Sequence, residues 1–185
     1  MSTRKNKLSV FELTLFGVYG SIMFLTKFVM QWIPNVHLLG LFIAVFTLVY
    51  RSKALIPLYV YVMLDGVVSG FSMWWIPYLY IWLPLWGAFM LVGRIRLPVK
   101  AQIPLYMVLC GLHGLAFGTL YAPLQALMFG LNFEATIAWI VAGLPFDLIH
   151  CISNTVAATL ILPLYHLLKK IPHDPHQSAS FTRRP

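Results

Sequence analysis

The basic residues of this chain fall at every second junction between its long apolar runs, with a single exception. Arg4, Lys5 and Lys7 precede the first run, and Arg51 and Lys53 follow the second. Arg94, Arg96 and Lys100 follow the fourth run, and Lys169, Lys170, Arg183 and Arg184 follow the sixth. The junctions after the first, third and fifth runs hold no Lys or Arg. Short loops rich in Lys and Arg stay on the cytoplasmic face, so the alternation predicts six crossings with both termini in the cytosol. The exception is Lys27, which lies inside an apolar run and needs its own explanation.

Composition points the same way. The chain is 60% hydrophobic and 10% charged, which is far outside the range of soluble domains. Six spans of about 20 residues each would use nearly all of it and leave no room for a soluble domain. The expected fold is therefore all-α and integral to the membrane: six transmembrane helices forming one domain over residues 1–172. The stretch HDPHQSASFTRRP, from His173 to Pro185, has little to bury and is expected to be a disordered cytosolic tail. A net charge of +8 can signal an acidic partner, but here the basic groups line one membrane face, so no nucleic acid is needed to explain them. Cys110 and Cys151 lie inside apolar runs without paired spacing, and read as small buried apolar residues rather than a disulfide or metal site. The N-terminus has no small-residue cleavage site after a short apolar core, so no removable signal peptide is expected.

The expected spans are unequal. The first runs from Ser9 to Ile33 and ends at Pro34; the second, His37 to Tyr50, is too brief to cross unless the bilayer is thin or the preceding loop dips inward. Ala54 to Phe71, Trp75 to Val92 and Ile103 to Phe129 make the next three. The last stretch, Phe133 to Leu168, is too long for one straight span at about 1.5 Å per residue. Its first part is expected to be an outer loop or interfacial segment, with a bend near Pro145.

Aromatic residues gather on the side without basic residues. Trp32 ends the first span, and WWIPYLYIW, from Trp74 to Trp82, makes most of the third junction aromatic. One reading is an interfacial belt; the other is a stacking surface for a planar ligand, using Trp74, Trp75, Tyr78 and Trp82.

Charged groups at depth are costly, and each is a functional hypothesis. Depth follows from counting along helices from the basic residues. Lys27 is 20 residues beyond Lys7, about 30 Å along a helix and near the outer surface. Asp65 is 12 beyond Lys53, about 18 Å in, and His113 reaches a similar height from Lys100. Asp147 and His150 precede Lys169 by 22 and 19 residues, about 33 and 28 Å from the inner face. All five fall in the outer half, which implies a polar cavity open to the exterior. Plainer readings stand beside this one. Lys27 could snorkel outward or pair with Asp65. Asp147 and His150, at i and i+3, could bond to each other, while Asn154 extends their stripe toward another helix. His113 alone could be a satisfied core histidine.

Catalysis finds little support in the residues. HExxH, a GxSxG elbow and a phosphate-binding glycine loop are all absent, so the chain is not expected to be an enzyme or to hydrolyse ATP by itself. Asp147, His150 and His113 could in principle hold a metal, a weak signal at unknown separation. In FGVYGSIMF, Gly17 and Ser21 lie one turn apart with Gly20 adjacent. Such a face allows close approach of another helix, either within the bundle or from a partner subunit.

Four stretches resemble a known family: TKFVMQWIPNVHLLGLFIAVFTLVYR (Thr26 to Arg51), WWIPYLYIW, GLHGLAFGTLYAP (Gly111 to Pro123) and AWIVAGLPFDLIHCISN (Ala138 to Asn154). The chain resembles the substrate-binding S components of bacterial energy-coupling-factor (ECF) vitamin transporters. The resemblance implies a multi-pass protein of the bacterial plasma membrane that captures a vitamin from outside. It would deliver the vitamin through a transmembrane scaffold subunit and two ATPase subunits, with no cofactor of its own. Docking would use a small-residue face on the first helix, matched by size at Gly17 and Ser21, although neither is alanine. The family's site maps here onto Asn35, His37, Trp74, Trp75, Tyr78, Trp82, Asn132, Asp147 and His150. The overall look is nearest to cobalamin-type members, with pantothenate- or riboflavin-type substrates as rivals. Lys27 at the mouth, beside Asp65, would then pair a carboxylate or phosphate and favour an anionic ligand. The alternative from another class is an integral-membrane, metal-dependent enzyme using Asp147 and His150.

Overall fold

Ser9 and Glu12 start the first helix with a reciprocal pair of bonds. Ser9 Oγ accepts from the Glu12 N–H and Glu12 Oε2 accepts from the Ser9 N–H, each at 3.1 Å, which satisfies two of the helix's orphan donors. This computed structural model describes residues 8–171. The expected tail from His173, and with it Arg183 and Arg184, lies outside the described residues, as do Arg4, Lys5 and Lys7.

Among the described residues every regular element is helical. The elements are α1 (Val10–Met30), α2 (Leu39–Tyr50), α3 (Leu55–Ser69), α4 (Leu83–Val92), α5 (Val99–Leu115), α6 (Phe117–Phe129), α7 (Phe133–Ala157) and α8 (Ile161–Leu168). Short 3₁₀ turns lie at Arg51–Ala54, Ile76–Leu79 and Ala158–Leu160. Four helical stretches are long and apolar enough to cross a membrane: Val10–Met30, Leu39–Ser69, Val99–Phe129 and Phe133–Leu168. Ile76–Val92 is apolar but shorter.

The Leu39–Ser69 stretch is not one rod. Arg51 adopts a φ of 57°, a left-handed conformation that a helix interior cannot contain, and the chain doubles back there. Tyr19 stacks on Phe46 at 4.7 Å and Phe16 meets Tyr50 edge-on at 5.1 Å, so α2 runs antiparallel to α1. Glu12 pairs with Lys53 and Lys27 with Asp65, each at 2.5 Å, so α3 runs parallel to α1. The turn is tied to the end of α4: Arg51 Nη2 donates to the Met90 carbonyl at 2.5 Å and Trp86 Nε1 to the Arg51 carbonyl at 3.4 Å.

This arrangement explains the short second run. At 12 residues, α2 is about 18 Å long, well under the roughly 30 Å of a hydrocarbon core. It has no need of that length, because α2 is the central helix. Leu39, Leu41, Ile43, Ala44, Val45 and Phe46 are all buried, and α4 and α8 pack along it. Its ends therefore meet protein groups instead of lipid. The outer helices show the opposite pattern, with Leu13, Val18 and Leu25 of α1, Val108 and Leu112 of α5, and Val141, Leu148 and Ile152 of α7 exposed. An apolar surface of this extent suits hydrocarbon and not water.

Helices α5 and α7 form the other main pair. A Cβ on Gly114 would lie 2.7 Å from the His150 carbonyl oxygen, so the two backbones touch where glycine allows it. The expectation for the last stretch is corrected in one respect. Asn132 caps α7 by accepting from the Ala135 N–H at 2.8 Å, and the helix runs from Phe133 through Pro145 to Ala157. The beginning of the stretch is therefore helix and not loop. The interruption comes later, at Ala158–Leu160. Proline is tolerated inside an apolar helix when neighbours supply the lost bonds and room.

Candidate functional site

Where α1 ends, residues 31–38 fold back over the start of α2. A cavity of about 260 Å³ lies beneath them, lined by Lys27, Asn35, His37, Tyr78, Phe117 and His150, among others. It sits at the end of the α1–α3 pair remote from Lys53, since Lys27 and Asp65 mark one end and Glu12 and Lys53 the other. Five side chains singled out in the sequence thus share one cavity wall, although they come from four separate segments.

The wall is built in layers. Lys27 Nζ meets Asp65 Oδ2 at 2.5 Å, with Lys27 26% and Asp65 2% exposed. The same ammonium lies over the Trp74 ring at 5.4 Å and the Tyr78 ring at 5.1 Å. Ring faces are negative and attract cations, so Lys27 has a carboxylate and two aromatic partners. It does not snorkel freely.

Deeper in the cavity, His37 and His150 face each other with ring centroids 5.0 Å apart. Phe117 lies 4.7 Å from His150, and Trp82 lies 6.0 Å from His37. Trp82 is fully buried and also neighbours Tyr61, Tyr78 and His113. His113 Nε2 donates to the Ile81 carbonyl at 2.8 Å, which makes it the satisfied core histidine on that side of the ring. Its Nδ1, however, has no partner, and neither do Nδ1 of His37, Nδ1 of His150, Nε1 of Trp82 or the Tyr61 hydroxyl. Buried unpaired polar atoms each cost about 1–3 kcal/mol, and a cluster of them beside a cavity marks a functional site more readily than a stability element.

Other candidates stand apart from the cavity. Trp75 Nε1 donates to the Val62 carbonyl at 2.7 Å, and its ring packs edge-on against Phe71, so it braces α3. Asn132 is spent on capping α7. Asp147 is buried and accepts from the Gly118 N–H through both oxygens, at 3.0 and 3.1 Å. Gly118 lies in the first turn of α6, so a carboxylate there satisfies one orphan donor and complements the helix dipole. Asp147 therefore secures the break between α5 and α6, while His150, one turn on, looks into the cavity. The two do not bond to each other. Asn154 lies against Gly40 of α2.

Phe117 was not anticipated. It enters the wall because α5 and α6 are separate helices that meet at Ala116, a break that no glycine or proline at that position announces. The small-residue face of α1 divides in two. A Cβ on Gly20 would lie 2.5 Å from Val60 Cγ1 and 2.8 Å from the Pro57 carbonyl, so Gly20 belongs to the α1–α3 contact. Gly17 has open space around it, and Ser21 Oγ donates to its carbonyl at 2.9 Å.

Three hollows are larger, at about 590 Å³ along α3, about 640 Å³ beside α7 and about 380 Å³ between α5 and α7. All three are grooves of mostly apolar side chains, with at most the hydroxyls of Ser153, Thr155 and Thr159 to orient a polar ligand. Binding sites combine apolar walls with a few convergent polar groups, which describes the smaller cavity. Among the described residues no group of three or more His, Cys, Asp or Glu side chains is arranged to hold a metal ion. No protein-family model, curated protein or solved structure matches this chain.

Proposed function

We propose that this protein is a non-enzymatic solute-capture subunit of the bacterial plasma membrane, of the S-component type. In this reading the chain crosses the membrane six times with both termini in the cytosol. It binds a vitamin-sized solute from outside and delivers it by docking on a membrane scaffold subunit driven by two ATPases. The observation that carries the reading is the polar cavity at the end of the bundle remote from the basic residues, inside a body whose outer surface is apolar. Arg51, Lys53, Arg94, Arg96, Lys100, Lys169 and Lys170 flank the opposite helix ends, and positive residues favour the cytosolic side. The cavity would then open outward.

Size bears on the cargo. At about 30 Å³ for each water in the liquid, 260 Å³ corresponds to roughly nine waters. That volume supports a single-ring or small two-ring vitamin over cobalamin, which is several times larger. For docking, the reading rests on Gly17 and Ser21, which lie on the outer side of α1, while Gly20 is occupied by α3. The metal-enzyme alternative draws no support from Asp147 and His150, whose side chains serve different neighbours.

The test is to purify the full chain in detergent and identify co-purifying small molecules by mass spectrometry, followed by titration with water-soluble vitamins. A bound vitamin, together with uptake in cells that is lost when the ATPase subunits are deleted, is the expected result. Uptake that persists without those ATPases would instead identify a self-contained carrier.

A further inference from the structure

Resting on the capture reading, we infer that the ligand is an uncharged, hydrogen-bonding ring compound, read by His37 and His150, and not an anion held by Lys27. Among the described residues lining the cavity, Lys27 is the one bearing a fixed charge. Its ammonium is already matched by Asp65 at 2.5 Å and covered by the Trp74 and Tyr78 rings, so wall and partner sum to no net charge. An anion that took one of the remaining Lys27 N–H donors would set a second negative charge beside the Asp65 carboxylate, 2% exposed, with one cation between the two. Like charges sharing a site disfavour each other's ionised forms. A cation would meet the same ammonium as a repulsive neighbour.

A neutral polar ring faces neither penalty, and the cavity offers it a suitable set of groups. His37 and His150 stand 5.0 Å apart with both Nδ1 atoms buried and unpartnered, next to the Phe117 ring at 4.7 Å. Two imidazoles at that spacing supply donors and acceptors to the edge of a heterocycle, while Phe117 and Tyr78 supply faces for stacking. Discrimination arises because buried polar groups are left unpaired when the wrong ligand enters.

Charge-matched probes decide the matter. The full chain in detergent is titrated with nicotinamide, nicotinate and 1-methylnicotinamide, then with pyridoxine and its 5′-phosphate, then with riboflavin and its 5′-phosphate. The expected result is that, in any set that binds, the uncharged member binds at least tenfold tighter. His150→Phe, which keeps an apolar ring of similar size, is expected to weaken that binding at least tenfold with little change in melting temperature. Tighter binding of a phosphate, carboxylate or methylated cation overturns the neutral-ligand inference and leaves solute capture standing. Binding of none of these probes, together with no co-purifying solute, counts against capture itself and against this inference with it. Unchanged affinity in His150→Phe overturns the role given to the histidines.

Discussion

Helices α1 and α3 are joined by an ion pair at each end, and the two pairs differ in everything but length. Glu12–Lys53 and Lys27–Asp65 both close to 2.5 Å. At the basic end Lys53 is 34% exposed and Glu12 12%, and Glu12 also serves the Ser9 capping box. At the cavity end Asp65 is 2% exposed and its lysine is roofed by two aromatic rings. The first pair can exchange protein contacts for water at little cost. The second cannot, because water has small access to Asp65 and its loss would strand a charge in an apolar surround. One sequence motif, a lysine and an acid on neighbouring helices, therefore serves as a minor clamp at one end and as part of a site wall at the other.

Substitutions can break this comparison in order of expected effect. Lys27→Met, which strands the buried Asp65 carboxylate, is expected to cost about 3–5 kcal/mol, read as a large fall in thermal unfolding temperature in detergent. A fall no greater than that of Lys53→Met would refute the contrast between the two ends. Next comes Gly20→Val, whose side chain would collide with Val60 and Pro57. Forced overpacking there is expected to cost about 1–3 kcal/mol and to loosen both ion pairs by separating α1 from α3. Lys53→Met is expected to cost about 0–1 kcal/mol, as for exposed pairs generally, and that loss should shrink further in high salt. Smallest in stability is Gly17→Val, into open space, expected within about 0.5 kcal/mol of the parent. Under the capture reading it should nonetheless reduce uptake by the complete transporter, and equal uptake by this variant and the parent would remove Gly17 from the docking face.

Much of the fold was legible because lipid imposes simple rules. Apolar runs of span length have to be helical, since backbone groups find no water in hydrocarbon. The helices accordingly appear close to where the runs lie. Two departures have different causes. The brevity of α2 looked like a defect for a lipid-crossing helix, a judgement that assumed it meets lipid along its length. The length of the Phe133–Leu168 stretch looked like evidence for an outer loop or interfacial segment at its start, a judgement made from length alone. In the bundle α2 meets mostly protein, and α7 continues past Pro145 before it is interrupted at Ala158.

The site was legible by residue type and less so by partnership. Counting along helices put Lys27, Asp65 and His150 in the same outer half, and Lys27 does meet Asp65 and share a cavity wall with His150. The same count gave Asp147 equal standing with His150, because i and i+3 positions share a face. The offset of about 60° between i and i+3 positions is enough to send the carboxylate to Gly118 and the imidazole to the cavity. Asn132 likewise had the chemistry of a ligand contact and the position of a helix cap.

By itself the sequence determined the helical class, the apolar exterior and the existence of a few costly polar groups, because these follow from composition and spacing in an apolar solvent. Which helix lies at the centre, which end of the α1–α3 pair is dry, and which of the polar groups face one cavity were decided by tertiary structure alone. Those properties depend on contacts such as Lys27 with Asp65 and His37 with His150, between residues far apart in the chain. No local pattern of hydrophobicity encodes such meetings.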